Sequence, residues 1–344
     1  MEELTNANWD KISPPENAET EMTAIRKTLK KQNRKNIVIS IALVITLLLG
    51  TVYGIVPLAE SFYLSPMDSN FDQYHTDLTL VLNAYTELFL PGKSVSVLWG
   101  HVGFAEYELY MRLTDAVRGT EQQFKGQLNR GRLGYDMDFY DSETLGLFRS
   151  VQFPEVYPQR QINLDNAKAR KKLQELPEYV TLEAAVTFPE DLTMAQLLEG
   201  MEVDFLNSEA DLNVIWAAIR TQEPDPKSMH LTSGVSFTRT YSNGGINDLY
   251  PQFELTHYES TGSTLEQHYK SLLKFSSDRM LEGKAVLTWR EDNNFYLQAL
   301  DYVEENGVKS YGCIVTGTPE KLLSLLDSGK ILNIQLLDAW IDVG

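Results

Sequence analysis

The chain has 344 residues, of which 43% are apolar and 23% charged, and its formal net charge is −18. This is an ordinary globular composition, and a lone cysteine, Cys313, excludes an intramolecular disulfide and a multi-cysteine zinc site. Beyond residue 36 the chain holds 42 acidic and 23 basic residues, so direct binding of nucleic acid by this part is not expected.

The first element with a clear boundary is a predicted transmembrane helix at residues 37–58. Residues 36–59 carry no charge, and these 24 residues would rise about 36 Å as a helix, enough to cross a hydrocarbon core of about 30 Å. A cleaved signal peptide would have an apolar region of about 7–15 residues after a short basic lead, whereas 36 residues precede the aliphatic run here. We therefore predict an uncleaved membrane anchor.

The charges on either side of this segment predict its orientation. A basic cluster with no acidic residue among its members precedes the segment, and Glu60 and Asp68 follow it. The positive-inside rule then places the N-terminus in the cytoplasm and the large C-terminal part outside the membrane. The cluster would also attract anionic lipid, and as an alternative it forms a docking helix for a cytoplasmic partner. Its members are Arg26, Lys27, Lys30, Lys31, Arg34 and Lys35.

The predicted cytoplasmic tail, residues 1–36, contains one candidate partner-binding motif. Trp9 and Ile12 are unusual in so polar a segment, and an exposed aromatic residue in such a tail often marks a docking site. We therefore take Trp9, Asp10 and Ile12 as the candidate partner-binding residues. The alternative is that Trp9 rests on the lipid interface.

The remaining chain is predicted to be an α+β extracytoplasmic domain, with a membrane-proximal region at 60–178 and a C-terminal domain at 179–344. Two stretches about 130 residues apart, 186–200 and 315–329, share a strand, then Pro and Glu, then a helix. This repeat predicts a duplicated split βαβ arrangement, the ferredoxin-like plan. The predicted helices are 76–90, 161–178, 189–200, 263–281, 291–306 and 318–327, and the predicted strands are 94–99, 179–188, 211–221, 308–317 and 331–341.

The sequence contains no catalytic or ligand-binding motif that predicts an enzyme or a cofactor. Gly92-Lys93-Ser94 resembles the end of a phosphate loop, but Glu87 stands where that loop needs a glycine. His257 and His268 lack an evident third zinc ligand. An acidic stretch departs from the calcium-loop pattern, so it is read as a solvated loop, with an irregular calcium site as the alternative. That stretch contains Asp136, Asp138, Asp141 and Glu143.

The order of parts resembles the bacterial sigma factor regulator family. The N-terminal resemblance lies in Trp9-Asp10, the basic run and the apolar span. Further resemblance lies in GFAEYELY (103–110), LNVIWAAIRT (212–221), HYKSLLKF (268–275) and YGCIVTGTPEKLLSLL (311–326).

This resemblance implies a membrane protein that restrains an extracytoplasmic-function sigma factor and releases it when its outer domain senses envelope stress. The implied partner is the sigma factor or a second anti-sigma protein. Members that clearly bind sigma have a longer segment before the Trp-Asp stretch, whereas 8 residues precede Trp9. The tail therefore fits a truncated paralogue or the accessory half of a two-protein regulator. The alternative function is a non-catalytic binding or structural protein of the cell envelope.

Overall fold

The computed structural model describes residues 18–63, 65–66, 77–130, 132–135, 147–152, 157–201, 212–224, 232–237, 248–253, 255, 261–279 and 294–341. The chain divides into two compact units, residues 1–62 and 63–344. The tail motif (Trp9, Asp10 and Ile12), the acidic stretch (Asp136, Asp138, Asp141 and Glu143) and His257 lie outside the described residues. The boundary predicted between residues 178 and 179 stays a prediction.

The first unit contains one long helical segment, which confirms the predicted apolar helix. Helix α1 (Ala18–Gly50) continues through a π-helical turn (Thr51–Ile55) into α2 (Val56–Glu60). The segment is long and apolar enough to cross a membrane. Pro57 has no N–H to donate to the preceding turn, so a local change of hydrogen-bond register there is expected. Within the apolar run, Thr46 donates its hydroxyl to the Ala42 carbonyl, which satisfies this polar group inside the helix.

The second unit begins with a helix and an antiparallel four-stranded meander. Helix α3 (Asp77–Phe89) confirms the predicted helix at 76–90, and its apolar side chains share a core with Leu109 and Met111 of the sheet, each at most 1% exposed. Each strand of the meander pairs with the next strand along the chain, so this first sheet has the order β1-β2-β3-β4. The strands are β1 (Lys93–Gly103), β2 (Glu106–Asp115), β3 (Glu121–Asn129) and β4 (Arg132–Tyr135).

The second sheet is five-stranded and confirms the ferredoxin-like prediction. Its order is β7-β6-β8-β5-β9, and every neighbouring pair is antiparallel. The units β5–α6–β6 and β8–α9–β9 are therefore split βαβ units, each with a strand of the other unit between its two strands. Strand β7 is an additional edge strand. The strands of this sheet are β5 (Val180–Thr193), β6 (Leu212–Ile219), β7 (Ser233–Ser236), β8 (Lys309–Gly317) and β9 (Asn333–Ile341). The helices of this part of the chain are α4 (Arg149–Gln152), α5 (Gln159–Glu175), α6 (Met194–Gly200), α7 (Gly262–Asp278), α8 (Asn294–Asn306) and α9 (Pro319–Asp327).

The predicted start of helix α6 at Pro189 is wrong. Strand β5 continues through Pro189 to Thr193, with a break in its pairing to β8 between Thr187 and Leu192. A proline is tolerated at such an irregularity, where no ladder hydrogen bond is required. The helix begins only after Thr193, whose side chain forms a capping box with Gln196.

The other C-terminal boundaries follow local signals that the sequence displays. Thr318 caps α9 at its N-terminus, and Gly307 and Gly329 adopt φ of +79° and +72° just after α8 and α9. Glycine reaches this left-handed region without steric cost. Cys313 is fully buried in β8, as predicted, and burial raises the pKa of its thiol.

Both faces of the second sheet are covered. One face belongs to the large core that also contains α3, α7 and the inner face of the first sheet. The other face holds a smaller cluster in which Trp216 and Ile314 pack with Leu147 and Phe148, which immediately precede α4. This burial on two sides explains the almost continuous apolar run in β6.

Candidate functional sites in the apolar helix and the second unit

The six residues of the basic cluster lie on helix α1 and are exposed. Arg26, Lys30 and Arg34 are spaced four residues apart, as are Lys27, Lys31 and Lys35, the other three members. Residues four apart on a helix lie one above the other, so the two rows form a cationic half of the helix surface. Its role in orientation or docking stays a prediction.

A fully buried pair joins helix α3 to helix α7. Nε2 of His268 lies 2.8 Å from Oε1 of Glu87, and the two side chains are 2% and 1% exposed. Nδ1 of His268 lies 2.7 Å from the carbonyl oxygen of Gln252. Because a carbonyl only accepts, Nδ1 carries a hydrogen, and the pair shares one further proton between Nε2 and the carboxyl group.

A second hydrogen bond fixes the same end of α3 to the second sheet. The indole Nε1–H of Trp216, on β6, donates to the main-chain carbonyl of Glu87 at 2.9 Å, and Trp216 is completely buried. Glu87 is therefore held through both its side chain and its backbone. The candidate residues predicted from the sequence do not include this site, although a glutamate within the apolar helix 76–90 indicates a need for a buried partner.

A cluster of ion pairs lines a cleft of about 300 Å³ between the β2–β3 turn and the second sheet. The guanidinium of Arg118 lies 2.6 Å from Glu183, 3.0 Å from Asp338 and 4.0 Å from Asp115. Burial lowers the pKa of Arg118, but the three carboxylates outweigh it and the pKa lies above its ordinary value. Burial raises the pKa of Glu183, and Arg118 offsets only part of that rise. The cluster fastens the meander to the second sheet.

Replacing Arg118 by methionine should destabilise the second unit in a pH-dependent way. Without the guanidinium, the pKa of Glu183 rises further above its unfolded value of 4.5. A carboxyl group whose pKa is raised on folding binds its proton more tightly in the folded state, so stability falls as the pH rises through that window. We expect a loss of about 1–2 kcal/mol at pH 8 and a smaller loss at pH 5.

Thermal unfolding of the native chain and of the Arg118→Met variant, each at pH 5 and pH 8, measures this effect. The matched control is Arg112→Met, because Arg112 pairs with Glu121 at 3.5 Å on an exposed surface. That change should cost less than about 0.5 kcal/mol at either pH. An Arg118 variant whose loss is equal at pH 5 and pH 8 would contradict the assigned role of Glu183.

Gly92 of the phosphate-loop fragment lies in a turn, as predicted, whereas Lys93 and Ser94 begin strand β1. Gly92 has φ of +66°, and Nζ of Lys93 lies 3.6 Å from the Asp115 carboxylate. Among the residues that the structure describes, there is no group of three or more His, Cys, Asp or Glu side chains that could hold a metal ion.

The C-terminal part of the chain is similar to a known protein family. Residues 173–337 match the family model described as sigma factor regulator C-terminal. The probable anti-sigma-M factor YhdL of Bacillus subtilis (strain 168) is 26% identical over 189 residues, which cover 54% of this chain and 47% of that protein. The chain thus spans about half the length of this curated relative, and no solved structure matches. The matched residues run from the end of α5 into β9, so the part of the chain that holds the two split βαβ units is similar to the sigma factor regulator C-terminal family.

Proposed function

We propose that this chain is a single-pass membrane regulator of an extracytoplasmic-function sigma factor, acting as an anti-sigma protein or as an accessory to one. The observation that carries the proposal is the sigma factor regulator domain at 173–337 on the same chain as an apolar helix of spanning length. The similarity to a probable anti-sigma factor supports it.

The proposed topology places the tail in the cytoplasm and the outer unit outside. The exposed cationic half of α1 precedes the apolar run, which supports this orientation by the positive-inside rule. A sigma factor or a second anti-sigma protein would then reach only the tail, with Trp9, Asp10 and Ile12 as the proposed contact. The outer unit would sense or scaffold the envelope signal without catalysis.

The signal would pass through helix α3, since its chain position and its contacts favour that role. It is the first described helix after the membrane segment, and its C-terminal end is tied to the regulator domain by Glu87. A change in the domain that moved α7 or β6 would therefore act directly on α3. Packed elements move as units, so the contacts of Glu87 with α7 and β6 are the proposed route for the signal.

Removing residues 1–25 should abolish recovery of the cytoplasmic partner in an affinity purification from cross-linked cells. The deletion keeps all six members of the basic cluster, so it leaves the predicted orientation intact. Trp9→Ala should reduce recovery at least about tenfold, because a buried aromatic anchor commonly contributes 2 kcal/mol or more to binding. The partner is identified by mass spectrometry of the recovered proteins.

The matched control is Asn6→Ala, a nearby change in the same tail that removes no aromatic side chain and should leave recovery unchanged. Recovery of envelope components alone, equal for the full chain and the truncation, would overturn the proposal. It would instead support the alternative of a non-catalytic envelope-binding protein.

A further inference from the structure

One end of the first sheet combines apolar and cationic side chains at the surface. Two turns meet there, the β1–β2 turn and the β3–β4 turn, and the N–H of Arg130 donates to the carbonyl of Ala105 across them at 2.8 Å. We call this surface the hairpin end. It consists of Tyr63, Trp99, Val102, Phe104, Arg130 and Arg132.

The apolar members of the hairpin end are unusually accessible for their size. Val102 is 62% exposed, Phe104 39%, Tyr63 37% and Trp99 36%. The Tyr63 and Phe104 rings lie 6.1 Å apart, and the Trp99 and Tyr107 rings lie 6.4 Å apart. Large apolar side chains exposed together at one end of a sheet mark a contact surface, whereas isolated exposed residues do not.

The charges at the hairpin end are suited to an anionic partner. Arg130 and Arg132 are both exposed, although the outer part of the chain is strongly acidic. Of the acidic residues described on β2, Glu106 is half-buried beside Gly103, and Glu108 accepts a hydrogen bond from the Tyr110 hydroxyl. Guanidinium groups pair well with phosphate, which is the charged group of phospholipids.

Tyr63, a member of the hairpin end, follows the membrane helix closely in the chain. It comes three residues after Glu60, the last residue of α2. The segment after Tyr63 is attached to the hairpin, because the Ser65 hydroxyl donates to the Tyr107 hydroxyl at 3.3 Å.

We propose that the hairpin end docks on the outer surface of the bilayer that holds its own helix. This inference rests on the proposed membrane anchoring. Aromatic side chains favour the boundary between headgroups and acyl chains, so Trp99, Phe104 and Tyr63 occupy that boundary with Val102 directed into it. Arg130 and Arg132 pair with lipid phosphates. The regulator domain is thereby held at the membrane, and its release from the lipid surface is a step that an envelope signal controls.

The test uses the full chain in vesicles of phosphatidylcholine with one quarter phosphatidylglycerol. Val102→Cys carries an environment-sensitive nitrobenzoxadiazole label, and Thr120→Cys is the matched control. Thr120 is exposed in the β2–β3 turn at the opposite end of the same sheet, about 30 Å away along ten strand residues. The unmodified chain controls for labelling of Cys313, which is completely buried.

Docking predicts blue-shifted emission from the Val102 label and at least about twofold quenching by lipids brominated near their headgroups, with neither effect at Thr120. Water-like emission at both positions in a chain that stays with the vesicles after an alkaline wash overturns docking, while the membrane anchor stands. A chain that the wash removes overturns both docking and the proposed anchor.

Discussion

Replacing His268 by alanine is expected to lower the free energy of unfolding of the second unit, residues 63–344, by about 3–5 kcal/mol. The change leaves the Glu87 carboxyl group, 1% exposed, without its imidazole partner. Removing one member of a buried pair costs this much because the other member keeps its desolvation penalty. Denaturant unfolding of the full chain in detergent, followed by tryptophan fluorescence, measures the effect.

A double-mutant cycle separates this pair from general packing. Glu87→Ala alone should cost a similar amount, whereas the double variant should cost clearly less than the two single losses together. Glu87→Gln should be milder, because an amide N–H can donate to Nε2 of a neutral His268 whose Nδ1–H still donates to Gln252. Strictly additive losses would contradict a coupled pair.

Since these variants lose the Glu87–His268 link between α3 and α7, the same proteins also test the proposed signal route. A regulator that has lost this link should fail to respond to an envelope signal even at temperatures where it remains folded. Helix α3 would keep its packing in the core and the Trp216 bond to the Glu87 carbonyl. Reporter transcription with and without envelope stress measures this response.

Gly234→Ala is expected to destabilise the second unit by about 3 kcal/mol or to prevent β7 from pairing. A methyl group at this position would overlap both the Ala217 carbonyl oxygen and the ring of Trp216. Neither group can move easily, because the Ala217 carbonyl is part of the β6 backbone and the Trp216 ring is fully buried. Unfolding and tryptophan fluorescence of the variant report the loss and the disturbed ring.

Gly200→Ala provides the matched control for this substitution. Among the described residues, no atom beyond the chain neighbours and the helix's own backbone lies within 4 Å of a Cβ built at Gly200, and this residue ends helix α6, where alanine is favourable. Its stability should therefore equal or slightly exceed that of the native chain. A Gly234 variant as stable as the Gly200 variant would show that β7 can shift away from β6.

The sequence by itself determined the elements whose signals are local. The apolar helix follows from an uncharged run of sufficient length, and helices α8 and α9 end where Gly307 and Gly329 supply a positive φ. The repeated strand–helix pattern predicted two split βαβ units, and the observed strand order confirms them. Each of these signals lies in residues that are close together in the chain, so the sequence is enough to predict them.

The tertiary structure decided whatever depends on partners distant in the chain. Pro189 looked like the start of a helix, yet β5 extends past it because Asp191 is held by Arg220, whose Nε and Nη2 lie 2.6 and 2.8 Å from the carboxylate. Glu87 and His268 are 181 residues apart, and no spacing rule connects them. Tyr63 and Phe104 likewise meet only in the folded unit. Periodicity reports which face of an element is buried, but the residue it meets is fixed by the packing of whole elements against each other.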